Sequence, residues 1–543
     1  MSLSRLFKRL SAFFSRRSPR FFVWGYFMVL LLIGLALYKD FGVSWDEGSD
    51  HTIGLVSAKY VGSIFAPEWT SQLPGLAQVP DIHGYIENDH GVIYEMPLAL
   101  LDQYLGLDGR SYYLLRHFTT FLLFVGGVWA LYNIGRIYFG SWQLGLVLST
   151  LLLLSPRLFG EAFYNAKDPG FLALFTLGIY TLILLLQRPT FKRAVAHGLA
   201  TALAIDMRIL GILLIAFTLG MVALELLLGN KPRPDQRKLA LLTAVFLVVA
   251  GAATIVGWPF LWEDPLHNFL SAFTTLKRFR WTGEVFYLGE KVGAVWLPWH
   301  YAPVWIAVTT PVAYLVGFVL GVGGVLFSLA RRQLGYLRTF AGRLDILFLG
   351  WFFLPIIMVI ALDSIIYDGW RHLYFVYPAL LILALRGGLA LWQWGQHRRL
   401  LRPVAAGAAA LASLEAVFTV VRMVQAHPQE HVYFSFLPGA RVEKLFERDY
   451  WGLSYRQGLE WIAHHDDSPV LHVTAHHAGL IGNNLAIMRA EDRARFVEGG
   501  SNQPRYFLGA YRNHPEPYPD SLGQEVYTVR AYGMKVLSVF SRW

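Results

Sequence analysis

The chain has 543 residues, 55% of them hydrophobic and only 15% charged, with a formal net charge of +10 and no cysteine. Soluble domains carry about a quarter charged residues, so an ordinary soluble fold is excluded, and several nearly uncharged windows of about 18 residues or more predict a polytopic membrane protein. The positive charge sits in short loops between apolar segments, where it sets topology, which argues against a nucleic-acid partner; the missing cysteines exclude disulfides, thiolate catalysis and Cys-ligated metals.

The basic start, residues 1–20 with "RLFKRLSAFFSRRSPR", reads as a cytoplasmic flank of a first span at 21–38, not as a cleavable signal. A polar stretch, 39–111, precedes spans at 112–135 and 142–157. The loop "RLFGEAFYNAKDPG" leads to a span at 170–187, and "DMR" at 206–208 separates spans at 193–207 and 209–228. After a span at 239–259 comes a second polar stretch, 260–301, then spans at 303–329, 345–362, 373–392 and 403–424. Residues 21–424 thus form an all-α transmembrane module of about 11 helices, and the polar remainder, 425–543, is expected to form a small α/β domain.

Every second loop is basic: Arg136; Arg188, Lys192 and Arg193; Lys231, Arg233, Arg237 and Lys238; Arg331, Arg332, Arg338 and Arg343; Arg398, Arg399 and Arg402. With a cytoplasmic N-terminus this alternation puts those loops inside. It puts "SWDEGSDH", "YNAKDPG", "DMR", the 260–301 stretch, "YDGWRHLY" and the C-terminal domain on the outer side.

Outer-face residues carry the chemistry. Asp46 and Glu47 are adjacent carboxylates, and such a pair beside a membrane needs water, a cation or a basic partner. On a helix Asp46 would share a face with Asp50, and Glu47 with His51. That pattern suits a general base or a divalent-cation site in which Glu47, Asp50 and His51 are candidate ligands. It equally suits a solvated helix start with Ser44 as N-cap. Asp168 precedes a span with Pro169 behind it, as a catalytic acid or as a first-turn acid stabilised by the helix dipole. Arg116, Lys167, Arg208, the run Lys277/Arg278/Arg280 and Arg371 place positive charge on the face where the topology rule disfavours it. Guanidinium groups there suit a phosphate, or else lipid headgroups and snorkelling. Asp206 and Arg208 could simply pair with each other. Glu415, inside a span, is a functional position by default unless a facing helix satisfies it. No GxxxxGK[ST] loop occurs, so ATP is not an expected substrate.

The ordered set — an acidic pair after span one, an Asp before span four, "PWHYAPVWIAVTTPVAYL" entering span eight and "RHLYFVYP" opening a late span — resembles the GT-C membrane glycosyltransferases, in particular protein O-mannosyltransferases and lipid A aminoarabinose transferases. The likeness covers roughly residues 20–425; Thr309 stands where the family often holds Lys, and "HGVIYEMP" matches its His-Pro-Pro segment only at His90 and Pro97. The resemblance implies a polyprenyl-phosphate-linked sugar donor, transfer with inversion at the outer membrane face, and an acceptor that is a protein, glycolipid or polysaccharide. It implies Asp46 as base, Glu47 supporting it or touching a metal, Asp168 as the second acid, and Arg116 and Arg371 near the lipid phosphate; Lys167 and Arg208 are phosphate candidates from their outer-face charge alone. A bacterial inner membrane is the expected setting. The competing expectation is a transporter or lipid-linked-sugar flippase, which should bury ionisable groups at the bilayer midplane.

Overall fold

The computed structural model describes residues 18–229, 232–277, 281–499 and 504–542. Residues 1–17, Lys231, Arg278, Arg280 and the side chain of Lys277, all invoked above, lie outside the described residues.

Among the described residues nine helices are long and apolar enough to cross a bilayer: Pro19–Leu37, Gly109–Phe139, Lys167–Gln187, Ile209–Leu228, Arg233–Gly257, Val312–Arg332, Phe340–Ala361, Arg371–His397 and Arg402–Ala426. A tenth is the pair Trp142–Leu153 and Pro156–Tyr164, bent by 75° at the break; Pro156 starts the second piece, where a missing N–H costs nothing. The chain is a multi-pass integral membrane protein. The segment expected to span at 193–207 is the helix Phe191–Met207, 17 residues and about 25 Å long at 1.5 Å per residue, at the short end of the range for a span, about 17–25 residues. The segment expected at 303–329 is divided at Pro311 into Tyr301–Thr309 and Val312–Arg332.

Between apolar helices in lipid, association rests on close van der Waals packing at small residues. Val312–Arg332 meets Tyr377–His397 in this way. A Cβ on Gly321 would come 1.9 Å from the Leu383 carbonyl oxygen, and one on Gly387 would come 2.0 Å from that of Gly317. The Gly317/Gly321 spacing of four keeps both on one face. Glu415 has a structural role at the same place: its two oxygens accept from the Val312 and Ala313 N–H groups, both at 2.7 Å. An anion on the positive end of a helix is electrostatically favoured, and this satisfies the intramembrane acid.

Within the 260–301 stretch, strands β1 (Glu284–Tyr287) and β2 (Glu290–Gly293) form a hairpin. Leu288 and Gly289 close it with φ of 53° and 90°, the left-handed pair that a two-residue turn requires. The C-terminal portion is α/β: strands β3 (Leu471–Ala475), β4 (Phe496–Glu498), β5 (Tyr506–Ala510), β6 (Gln524–Ala531) and β7 (Met534–Ser541) form a sheet of order β4-β3-β5-β7-β6. β3 runs parallel to β4 and β5; β7 runs antiparallel to β5 and β6. Polar clasps dock this domain onto the turn after the first span. Asn484 Oδ1 accepts from the Val43 N–H at 3.0 Å, its Nδ2 donates to the Val43 carbonyl at 3.1 Å, and Arg456 Nη1 donates to the Lys39 and Phe41 carbonyls, each at 2.7 Å.

Candidate active site

The chain re-enters helical structure at Trp45–Phe65. The Ser44 N–H donates to Glu47 Oε2 at 2.8 Å, so Glu47 closes the helix start as the third-position acid of a capping box does. Its Oε1 takes His117 Nε2 at 2.9 Å, and Glu47 is buried. Asp46 keeps 38% of its side chain exposed and faces a cleft of about 1030 Å³, partly open to solvent.

Asp46, Asp50, Lys167, Arg208, Arg371 and His372 all line this cleft, so four sequence segments far apart in the chain meet there. Arg371 is the hub. Its Nη1 donates to Asp46 Oδ2 at 3.1 Å and to Asp168 Oδ2 at 3.2 Å, and its Nη2 lies 3.4 Å from Asp368 Oδ2. The guanidinium carbon lies 4.8 Å from the Tyr367 ring centre and 4.7 Å from that of Trp451, a cation–π arrangement. Arg208 pairs with the other oxygen of Asp168, and Lys167 Nζ lies 2.5 Å from Asp50 Oδ1. Among the described residues, the Nε–H groups of Arg208 and Arg371 are buried without an acceptor.

Several expected residues sit behind the cleft. Asp168 is 2% exposed and acts on the cleft through the two arginines it holds. Arg116 is enclosed and does not line the cleft: it binds Glu95 through two bonds of 2.5 and 2.9 Å and reaches Asp50 Oδ2 at 3.3 Å. Its place is thus to hold Asp50, while Glu95 neutralises it. His51 turns to Asp102, 3.0 Å away, and stacks on Tyr112 at 4.0 Å between ring centres. Glu47, Asp50 and His51 therefore point to three different partners. Among the described residues no group of three His, Asp or Glu side chains is arranged to hold a metal ion. Asp206 and Arg208 do not pair with each other: Asp206 Oδ1 accepts from the Val92 N–H at 2.9 Å. That bond holds the loop carrying Glu87, Asp89 and His90 against the cleft, and only a glycine fits at 91, where a Cβ would meet the Asp206 carbonyl oxygen at 1.6 Å.

A polar layer below the site went unread in the sequence. Glu161 Oε1 accepts from Tyr374 at 2.7 Å and Tyr450 at 2.8 Å. Asn165 Nδ2 is shared between Glu161 Oε2 at 2.8 Å and Asp168 Oδ2 at 2.9 Å, and Asn165 Oδ1 accepts the Asp168 N–H at 3.0 Å. Glu161 lies in the last turn of one helix, Asn165 is its non-helical C-cap and Asp168 opens the next, so it is the break between the helices, not a helical spacing, that brings the three together. Asp449 builds the turn that brings Tyr450 and Trp451 in: its carboxylate accepts the N–H groups of Gly452, Leu453 and Ser454 at 2.9, 3.1 and 3.0 Å. It adopts φ +33°, tolerable for Asp because its side chain bonds the local backbone.

The C-terminal domain also reaches Arg371 through charge. Arg512, just past β5, pairs with Asp368, the acid next to Arg371. Glu447 Oε1 accepts the Gly369 N–H at 3.1 Å. Burial raises the Asp368 carboxyl above its ordinary range, against the pull of Arg512 and Arg371. Burial, then the charge of Asp368, pushes Glu447 up to about 8. Burial likewise raises Asp50, against Lys167.

No protein-family model and no curated protein matches this sequence. Among solved structures, the chain is similar to two crystal structures of the Archaeoglobus fulgidus oligosaccharyltransferase. The apo form aligns with a TM-score of 0.48 at 11% identity, over 87% of this chain and 64% of that one. The form tethered to an acceptor peptide containing the NVT sequon aligns with a TM-score of 0.43 at 13% identity, over 76% and 55%. The chain spans less than two thirds of the length of that protein.

Proposed function

We propose that this chain is a GT-C-type membrane glycosyltransferase that moves a sugar from a polyprenyl-phosphate-linked donor to an acceptor hydroxyl, with inversion, at the extracytoplasmic face of a bacterial inner membrane. One observation carries the reading: Asp46, Lys167, Arg208 and Arg371 line a single cleft at the ends of membrane-crossing helices. A donor anchored in the bilayer delivers its phosphate to such a boundary, and no nucleotide-binding fold is needed to hold it. The ordered sequence likeness supports the donor class, and the alternation of basic loops supports the sidedness.

In this reading Lys167, Arg208 and Arg371 bind the donor phosphate, the arginines through their unused Nε–H groups and shared edges. Asp46, the acid of the Arg371 network that keeps solvent access, takes the proton of the acceptor hydroxyl as its oxygen bonds to the anomeric carbon. The bond from that carbon to the phosphate oxygen breaks, and the leaving phosphate carries off the electron pair under the arginines, where fixed donors matter most. Asp168 keeps Arg208 and Arg371 in place. The C-terminal domain, which holds Arg371 through Trp451 and Asp368 through Arg512, selects the acceptor.

The test is mass spectrometry of glycans and glycolipids from cells with the protein, without it, and with D46N. A sugar modification lost without the protein and lost in D46N, at equal membrane expression, supports the reading. Unchanged glycans in cells lacking the protein would overturn transferase activity, and full transfer by D46N would remove Asp46 as base.

A further inference from the structure

At the opposite end of the bundle from the acidic cleft lies a second polar cavity, widely open to solvent. Four arginines line it: Arg188 just after Lys167–Gln187, Arg193 in the first turn of Phe191–Met207, Arg338 in the turn before Phe340–Ala361 and Arg343 in that helix's first turn. One acid, Glu225, also lines it and is already engaged by Arg343 at 2.7 Å. Arg343 is 4% exposed, and its Nε–H is buried with no acceptor among the described residues. Arg193 Nη1 and Arg343 Nη1 are held in place by backbone carbonyls, of Leu184 at 2.6 Å and Leu337 at 2.9 Å. The guanidinium groups of Arg188 and Arg338 are exposed and make no bond or ion pair among the described residues.

Topology requires basic residues at this end, but not that four of them from two separate stretches of the chain converge on one hollow. Like charges brought together at a low-dielectric boundary repel, and an unfilled buried N–H donor adds to that penalty. Both are relieved by an anion that accepts several forked N–H bonds, and a tetrahedral phosphate is matched to guanidinium edges. We propose that this cavity is a phosphate-binding site distinct from the acidic cleft. The ligand chemistry is a phosphodiester or phosphate anion, supplied by an anionic lipid headgroup of the adjoining leaflet or by free phosphate. Phe340, whose ring centre lies 5.9 Å from the Arg343 guanidinium, and Leu186 add an apolar wall.

The experiment uses the purified full-length protein in detergent. One arm measures retention of phosphatidylglycerol against zwitterionic phosphatidylcholine by native mass spectrometry. The other measures thermal stabilisation by inorganic phosphate. R188Q/R338Q removes two exposed guanidinium groups that hold nothing in the fold. R331Q/R332Q removes two exposed arginines from the C-terminal end of Val312–Arg332, at the same end of the bundle and outside the cavity. The expected result is selective phosphatidylglycerol retention, or phosphate stabilisation, weakened about fivefold for each arginine removed in R188Q/R338Q and unchanged in R331Q/R332Q. The responding arm names the source of the phosphate. No selectivity in either arm, or equal losses in the two double variants, overturns the proposal.

Discussion

Trp451 packs its indole ring 4.7 Å from the guanidinium carbon of Arg371, joining the C-terminal part of the chain to the hub of the cleft. Arg371 simultaneously bonds Asp46 and Asp168 through one nitrogen. A planar, delocalised cation can stack on a ring and bond in its own plane at once; an ammonium cannot.

R371K is therefore expected to behave as a loss. Losing a preorganised donor at a leaving group costs about 10²–10³-fold in turnover, and Lys cannot restore the paired geometry. W451A, which keeps the charge, is expected to lose less, ~1–2 kcal/mol for a desolvated cation–π contact. Transfer measured with a lipid-phosphate sugar donor checks the order: R371K as active as wild type would show that the guanidinium plane is irrelevant.

Arg512 and Asp368 form a mostly buried pair whose side chains are 15% and 8% exposed. Breaking a buried pair by removing one partner costs up to ~3–5 kcal/mol, and removing both partners costs less; Arg371, 3.4 Å from Asp368, still offsets part of the charge that R512Q leaves. R512Q alone should lower the thermal midpoint in detergent more than R512Q/D368N does. Additive losses in the double variant would show that the two residues are not coupled.

Glu447 fixes the sign of a pH effect. Its folded value, about 8, lies above the ordinary 4.5, so the folded state holds a proton that the unfolded chain releases. Its contribution is fully present below the ordinary carboxylate range and is lost as pH rises through about 8. Each pH unit in that window removes up to ~1.4 kcal/mol. The thermal midpoint should fall between pH 6 and pH 8.5 (about two units of the window), and E447Q should flatten that slope. An identical slope in E447Q would exclude Glu447 as its source.

Glu415 bonds two N–H groups at the start of Val312–Arg332. E415A should cost ~1–2 kcal/mol of stability, as a lost cap does, with transfer per folded molecule unchanged. A variant of normal stability and no transfer would instead give Glu415 a part in the chemistry.

Some of this was legible from sequence because its signal is local. Apolar runs announce helices through the bilayer's demand that backbone groups be satisfied within the segment, and the alternation of basic loops put "SWDEGSDH", "YNAKDPG", "DMR" and "YDGWRHLY" at one end; Asp46, Asp168, Arg208 and Arg371 do meet there. Glu47 and Asp46 are neighbours in sequence, yet successive side chains on a helix diverge by about 100°, so one caps the helix while the other faces the cleft. Which arginine serves which acid was set by packing across hundreds of residues: Arg208 passed over Asp206 for Asp168, Arg116 was enclosed by Glu95, and Trp451 and Arg512 arrived from the far end of the chain. Hydropathy and charge order fix where groups lie along the membrane normal; only the packing of helices about that axis decides which groups touch.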